Sequence, residues 1–285
     1  MPIDIEHLRS WIGREEVAED VITPVPVAAL TATLDRDDPK PRPGDELPPL
    51  WHWLYFLPTV RQSELALDGH PKRGGFLPPV PLPRRMWAGA RFEFHRPLHI
   101  GESIVRKSTI ADVSTKDSRV GPLIFVLVRH EIAGPAGLAI LEEHDVVYSE
   151  ALTRGQTLPS PRAAAPTGAV WRRDILVDEV MLFRYSALIF VGHRIHYDRR
   201  YATEVEGYPG LVVHGPLIAT LLADLLRRHS SAPPKSLRFR AISPLFDNAP
   251  FAVCGMPEPD GRTSLWAQNA EGALAMKAEA VMHSA

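Results

Sequence analysis

The stretch GPLIATLLADLLRRH, Gly215 to His229, decides how the chain folds. Leu217, Ile218, Leu221, Leu222, Leu225 and Leu226 form a broad apolar stripe, while Thr220, Asp224, Arg227 and Arg228 take the other face. Pro216 suits a first helical turn, where its missing N–H costs nothing. The spacing predicts an amphipathic helix made to lie on a sheet. That sheet follows directly. LRFRAIS (237–243), PFAVCGM (250–256), SLWAQN (264–269) and LAMKAEAVM (274–282) read as strands, and the turn signals PDG and EG separate the last three. A long helix followed by an antiparallel meander predicts a sheet wrapped around that helix.

The first half repeats the plan. RFEFHRPLHI (91–100), ESIVRKSTIADV (102–113), LIFVLVRHEI (123–132) and LAILEEHDVVYS (138–149) are strand-like. RPLHIGESI echoes SPLFDNAPF, and GPAGLAILEEHDVVY echoes EGALAMKAEAVM. A repeat of this length predicts two duplicated domains, 1–160 and 161–285, with AAAPTGA (163–169) as linker. Upstream of the second meander, DEVMLFRYSALIF places apolar residues at 180, 183, 187 and 190, a helical spacing with Asp178 as N-cap. The helical part of the first half is less regular. PPLWHWLYFLPTVRQSELALDG is broken by Pro58, and HPKRGGFLPPVPLPRRMWAG follows.

Composition narrows the function. The 285 residues are 45% apolar, enough for a large core, and carry a net charge of −2. A near-neutral chain argues against nucleic acid or an anionic membrane surface as partner. The single cysteine, Cys254, excludes an internal disulfide and a thiolate cage, and its alternating surroundings predict a buried strand position. The acidic N-terminal stretch is unlike a secretion signal, and no run approaches the roughly 18 apolar residues of a spanning helix, so a cytoplasmic location is expected. The 28 prolines cluster at 39–49 and 71–83 among aromatics, which predicts ordered loops rather than disorder.

The chemistry concentrates in HRIHYDRRYATEVEGYPGLVVHG, His193 to Gly215. Histidine titrates near neutrality and suits proton transfer. Val213-His214-Gly215-Pro216 supplies a helix N-terminus, whose free N–H groups suit an oxygen that gains charge, and Gly215 permits close approach. Structural alternatives stand beside these readings. His196 also reads as a core histidine capping a loop, and His193 and His214 as loop anchors. Asp198 reads as an N-cap for RRYATEVEG, Tyr201 and Tyr208 as packing, and Gly210 after Pro209 as a type II turn. Arg84 and Arg85 in LPRRM are either solvated or face a ligand. The His193–His196 pair lacks a carboxylate-backed third ligand at a recognisable spacing, so no metal is expected.

A helix, then H-x-I-H-Y-D-x-x-Y-A, then G-L-V-V-H-G-P with a long helix and a meander resembles the MaoC-like hydratases and dehydratases of the hotdog fold. WHWLYFLP and GGFLPPVPLPRRMWAG in the first half are similar to the duplicated group that includes the mesaconyl-C4-CoA hydratases. The resemblance implies an α+β double hotdog, two antiparallel sheets each wrapped around a helix. In it the first half is non-catalytic and shapes the acyl pocket. The second half adds water across the C=C of a short branched or dicarboxylic enoyl-CoA. His196 corresponds to the family's histidine, and the Gly215 N–H to the donor that binds the thioester oxygen. Arg84, Arg85 and Arg91 lie where the acyl end is bound, and Gly210 and His214 join the substrate site. No cofactor is implied, since coenzyme A enters as part of the substrate, and homo-oligomerisation is left open.

One position departs from the pattern. Residue 191, where the family usually has an Asp or Asn that shares the water with the histidine, is Val191, and Ile189 is apolar where a small polar residue is common. Valine offers no hydrogen bond to a water. Either His196 acts alone, or Asp198 or a first-half residue takes over, or the pocket is refitted for another thioester. The last reading admits a double hotdog that binds an acyl thioester without turning it over, or a thioesterase.

Overall fold

The computed structural model describes residues 3–118, 121–151 and 163–283. The first half runs α1 (Ile5–Arg9), β1 (Glu15–Val21), α2 (Pro24–Thr33), β2 (Arg84–Phe94), β3 (Ser103–Ser118), β4 (Gly121–Gly134) and β5 (Gly137–Ser149). The second runs β6 (Trp171–Ile175), α3 (Glu179–Leu188), α4 (Gly215–His229), β7 (Pro234–Ala241), β8 (Phe251–Pro257), β9 (Arg262–Asn269) and β10 (Leu274–Met282). The strands form one antiparallel sheet in the order β1-β3-β4-β5-β2-β7-β10-β9-β8-β6. Read outward from the middle, both halves have the same order, so this is a double hotdog joined edge to edge through β2 and β7.

The joint is a five-residue ladder from Gly89↔Arg240 to Glu93↔Ser236. A Cβ at Gly89 would collide with the Phe239 carbonyl oxygen, so only glycine lets the two strands approach there. The eight expected strands are all present. β2 begins earlier than the alternation predicted, at Arg84, because a register shift between Trp87 and Gly89 interrupts its period of two. Cys254 is buried on β8, as expected.

α4 lies against β6, β8, β9 and β10 with its apolar stripe fully buried. Two residues of its polar face, Thr220 and Asp224, are buried too. The side chain of Asp224 has no exposure and pairs with Arg36, with Arg173 at 3.1 Å and with Arg228 at 2.8 Å. These three arginines, with Arg227 further off at 3.9 Å, hold one buried carboxylate, which would be costly if unpaired.

The first half has no counterpart of this length. Paired bridges locate where one would begin: Glu46↔His99 matches Val212↔Phe246, and Leu47 N–H to Leu98 O (2.7 Å) matches Val213 N–H to Leu245 O (2.8 Å). In α4 a helix of 15 residues follows this point. Here a single 3-10 turn, Trp51–Leu54, follows instead. Leu50 and Phe56 on either side have φ of 70° and 55°, a left-handed backbone that cannot continue a helix, and Pro58 comes next. Bulk replaces length. Trp51, His52 and Leu54 are buried, and His52 Nε2 and Trp53 Nε1 reach the buried Glu142 carboxylate at 2.9 and 2.8 Å. So the sheet of the first half wraps α2 and this turn, not a long helix, and residues 57–83 are free to cross toward the second half.

Two helical expectations change in detail. Asp178 does cap α3, accepting from the Met181 N–H at 2.8 Å. The stripe at 180, 183, 187 and 190 does not face the core, however. α3 buries Leu182, Tyr185 and Ser186 and leaves Val180 and Phe183 more than half exposed, as is Phe190 just beyond its end. Gly210 is not the positive-φ residue of its loop; Gly207 is, at 74°. Gly210 is needed for close approach instead, since a Cβ there would meet Asp247 Oδ1 at 2.7 Å. The 160/161 division lies outside the described residues. The start of the expected linker is pinned to the β9–β10 turn, with Ala165 N–H to Gly272 O and Leu274 N–H to Ala163 O both at 2.9 Å. No described helix is long and apolar enough to cross a membrane.

Candidate active site

A cleft of about 1300 Å³ opens at the joint of the two halves. β2 supplies Arg84 to Ala88, the crossing loop supplies Gly69 and His70, and α3 with its following loop supplies Phe183 to Tyr197. The N-terminus of α4 forms the floor at His214, Gly215 and Pro216. The exposed apolar face of α3 is therefore not an orphan surface. Phe183, Ala187 and Phe190 form the cleft's wall, and that is why the helix carries apolar residues on both sides.

His196 is buried in this wall. Its Nδ1 lies 2.7 Å from the Val212 carbonyl oxygen. A carbonyl can only accept, so Nδ1 carries the proton and Nε2 keeps its lone pair. Burial pushes its pKa down from the usual 6.5 to about 4; the Val212 bond opposes the shift, and the neighbouring His70 adds to it. His196 is thus a neutral imidazole with a free lone pair at ordinary pH. His214 stacks on it, with centroids 3.7 Å apart and planes at 18°. His214 Nε2 in turn lies 2.8 Å from Ser186 Oγ.

Gly215 opens α4 directly beside this stack, and no described hydrogen bond engages its N–H. Trp87, from β2 of the first half, lies across it. A Cβ on residue 215 would meet Trp87 Cε3 at 2.8 Å, so glycine lets the two halves close here. Val191 and Ile189 line the cleft as apolar wall, and the Val191 N–H is spent on Ser186 O at 2.9 Å.

The arginines separate. Arg84 is committed to the protein: it bonds the Tyr208 hydroxyl and lies 3.6 Å from Glu206. Arg85 lines the cleft, and no described carboxylate pairs with it. Arg91 is a correction to the sequence reading. It pairs with Asp145 at 2.7 Å and Glu143 at 3.0 Å across β2 and β5, and is no part of the cleft. Gly210 lies outside the cleft as well. Asp198, the other candidate acid, bonds the Tyr201 N–H at 3.0 Å as an N-cap and pairs with Arg194 at 2.7 Å, which leaves it off the cleft wall.

Two functional candidates escaped sequence reasoning. Asp68 and His70 of the crossing loop meet His193, and the ligating atoms of all three lie within 4.8 Å of one another. The loops are pressed together at Gly69 and Gly192, whose backbones leave no room for a Cβ on Gly69. The Arg194 N–H adds a bond to Asp68 O at 2.9 Å. The sequence lacked a third ligand beside His193 and His196; the fold brings Asp68 and His70 to His193. Only the pair D-x-H in a Gly-Pro setting hinted at them, and nothing local says which distant segment they meet.

A neutral histidine against a helix N-terminus, in an apolar slot between two hotdog halves, serves proton chemistry next to a thioester, and hotdog hydratases and dehydratases are the class that this architecture and site define. Comparison with known proteins places the chain within that class. The family model for hydroxyacyl-thioester dehydratase type 2 matches residues 50–247. The mesaconyl-C(4)-CoA hydratase of Chloroflexus aurantiacus is 49% identical over 271 residues, covering 94% of this chain and 95% of that protein. The HtdX protein of Mycobacterium tuberculosis superposes with a TM-score of 0.66 at 17% identity over 95% of this chain and all of that one. A second protein of that organism, described as having a double hotdog fold, gives 0.57 at 12% identity over 95% and 96%. The chain belongs to the hydroxyacyl-thioester dehydratase type 2 family.

Proposed function

We propose that the chain adds water to, or removes it from, an enoyl thioester of coenzyme A whose acyl part is short and branched or dicarboxylic. One observation carries the reading: His196 presents an unprotonated Nε2 to an apolar cleft whose floor is the free N-terminus of α4. His196 takes a proton from water as its oxygen bonds the β-carbon. The Gly215 N–H faces the thioester oxygen as enolate charge builds, and the imidazolium returns the proton to the α-carbon. The thioester is unchanged at the end and the imidazole is neutral again. Half-buried Arg85, which lines the cleft beside the Tyr148 hydroxyl and pairs with no described carboxylate, supports an acid group on the acyl chain, which a guanidinium grips with two parallel bonds. The mesaconyl-C(4)-CoA hydratase at 49% identity supports the same substrate class.

Val191 favours a second reading, an acyl-thioester-binding protein without turnover. The two are separated by following the conjugated absorbance of mesaconyl-C4-CoA and crotonyl-CoA together with free thiol. Loss of absorbance without thiol supports hydration. No change supports binding only, and thiol release means hydrolysis.

A further inference from the structure

An attacking water must be held by more than the base that deprotonates it, and the hydroxyls lining this cleft each already have one partner. Ser186 is bonded to His214, Ser243 Oγ to Leu274 O at 2.9 Å, Tyr197 OH to Gly192 O at 3.1 Å and Tyr208 OH to Arg84. Arginine only donates, and Val191 and Ile189 offer nothing. His70 differs. Its Nδ1 lies 3.2 Å from Asp68 Oδ2, and its backbone N–H bonds Asp68 Oδ1 at 2.9 Å. An ionised carboxylate only accepts, so His70 Nδ1 carries the proton and Nε2 keeps its lone pair, which no described residue engages. This is the tautomer that Val212 imposes on His196. His70 lines the cleft, one-fifth exposed, and its ring lies tilted at 42° against His193 with centroids 4.0 Å apart; His193 meets His196 edge-on at 5.3 Å.

We propose that His70, oriented by Asp68, is the second acceptor that holds the attacking water, so that the first half contributes a catalytic residue to the site of the second. The inference rests on the hydratase reading. The water gives one hydrogen bond to His196 Nε2, which takes that proton, and the other to His70 Nε2, which keeps the remaining O–H aligned and does not itself change protonation. The missing hotdog helix of the first half makes this reach available, because the chain that would have formed it runs instead into the joint. Asp68, His70 and His193 are also a donor set for a metal ion, but the observations favour a water holder. Both Asp68 oxygens are already bonded within their own loop, and Arg85 and Arg73 bear on His70 with positive charge that disfavours a cation.

The test is a double-mutant cycle on hydration of an enoyl-CoA. His70→Phe keeps a ring against His193 and removes the nitrogens, with His70→Ala as a second variant if the first melts early. Val191→Asn places a side-chain acceptor in the cleft wall. The proposal expects His70→Phe to lower kcat about tenfold or more with KM little changed. It expects Val191→Asn to restore most of that loss in the His70→Phe background and to add little to the parent. A folded His70→Phe with parental kcat overturns the proposal, and so does a loss that Val191→Asn does not relieve. Loss of parental activity with a chelator, regained with zinc, overturns it in favour of a metal site. A parent that hydrates no enoyl-CoA overturns the hydratase reading itself, whatever His70 does.

Discussion

At the residue scale the account turns on one ring. The bond from His196 Nδ1 to Val212 O fixes which nitrogen is the base, and burial keeps it neutral. Replacing His196 by Ala should lower kcat by about 10²–10⁴-fold with ligand affinity nearly kept, measured by steady-state kinetics beside a binding titration. The acid limb of kcat/KM should fall with an apparent pKa near the folded value of about 4, not near 6.5. The same shift acts on stability, and its sign is fixed. The folded pKa is depressed, so between pH 6.5 and about 4 the unfolded chain binds a proton that the folded chain refuses. Stability is full above 6.5 and is lost as pH falls through that window, by roughly 3 kcal/mol for this one site. The melting temperature should therefore decline between pH 7 and 5, before the catalytic limb is reached. His196 was legible as a candidate because its motif matches the family's histidine, and Val191 because an apolar residue stood out there. Asp68 and His70 were not, since their meaning lies in a contact with His193 that only the fold creates.

Elements show why a pattern can be read correctly and placed wrongly. α4 was legible because its stripe is continuous and a sheet must cover it. Asp224, on the face opposite that stripe, is buried, since Arg36 and Arg173 arrive from other elements and join Arg228 of the same helix to neutralise it. α3 has apolar residues on two faces, one for the core and one for the cleft, and spacing alone cannot tell them apart. The 3-10 turn at Trp51–Leu54 hid behind a sequence as apolar as any helix, where two left-handed backbone positions end it. The meeting of α4 with β2 gives a test at this scale. Gly215→Ala puts a methyl carbon against Trp87, so either the indole or the helix start must shift. The expected result is a folded protein whose kcat falls more than its affinity for coenzyme A, read by kinetics and isothermal titration.

For the molecule as a whole, the duplication was legible because RPLHIGESI and SPLFDNAPF carry the same turn, and the structure superimposes their bridges and bonds. The edge that joins the halves was not, because a ladder between two strands leaves no motif except a glycine. Gly89→Val should break it. The side chain would need the space of the Phe239 carbonyl, and a β-branched residue cannot move aside. We expect a melting temperature lower by several degrees and loss of hydration, with far-ultraviolet circular dichroism retained in whatever protein stays soluble. An unchanged melt would mean that β2 and β7 do not hold the halves together.

The central claim is that the cleft between those halves carries water addition by His196. It is tested most directly by mass spectrometry of mesaconyl-C4-CoA after incubation with the parent and with His196→Ala. The account predicts a product heavier by one water with its thioester intact in the parent, and almost none with the variant. An unchanged thioester in both samples, or free coenzyme A in place of the hydrated product, would contradict it.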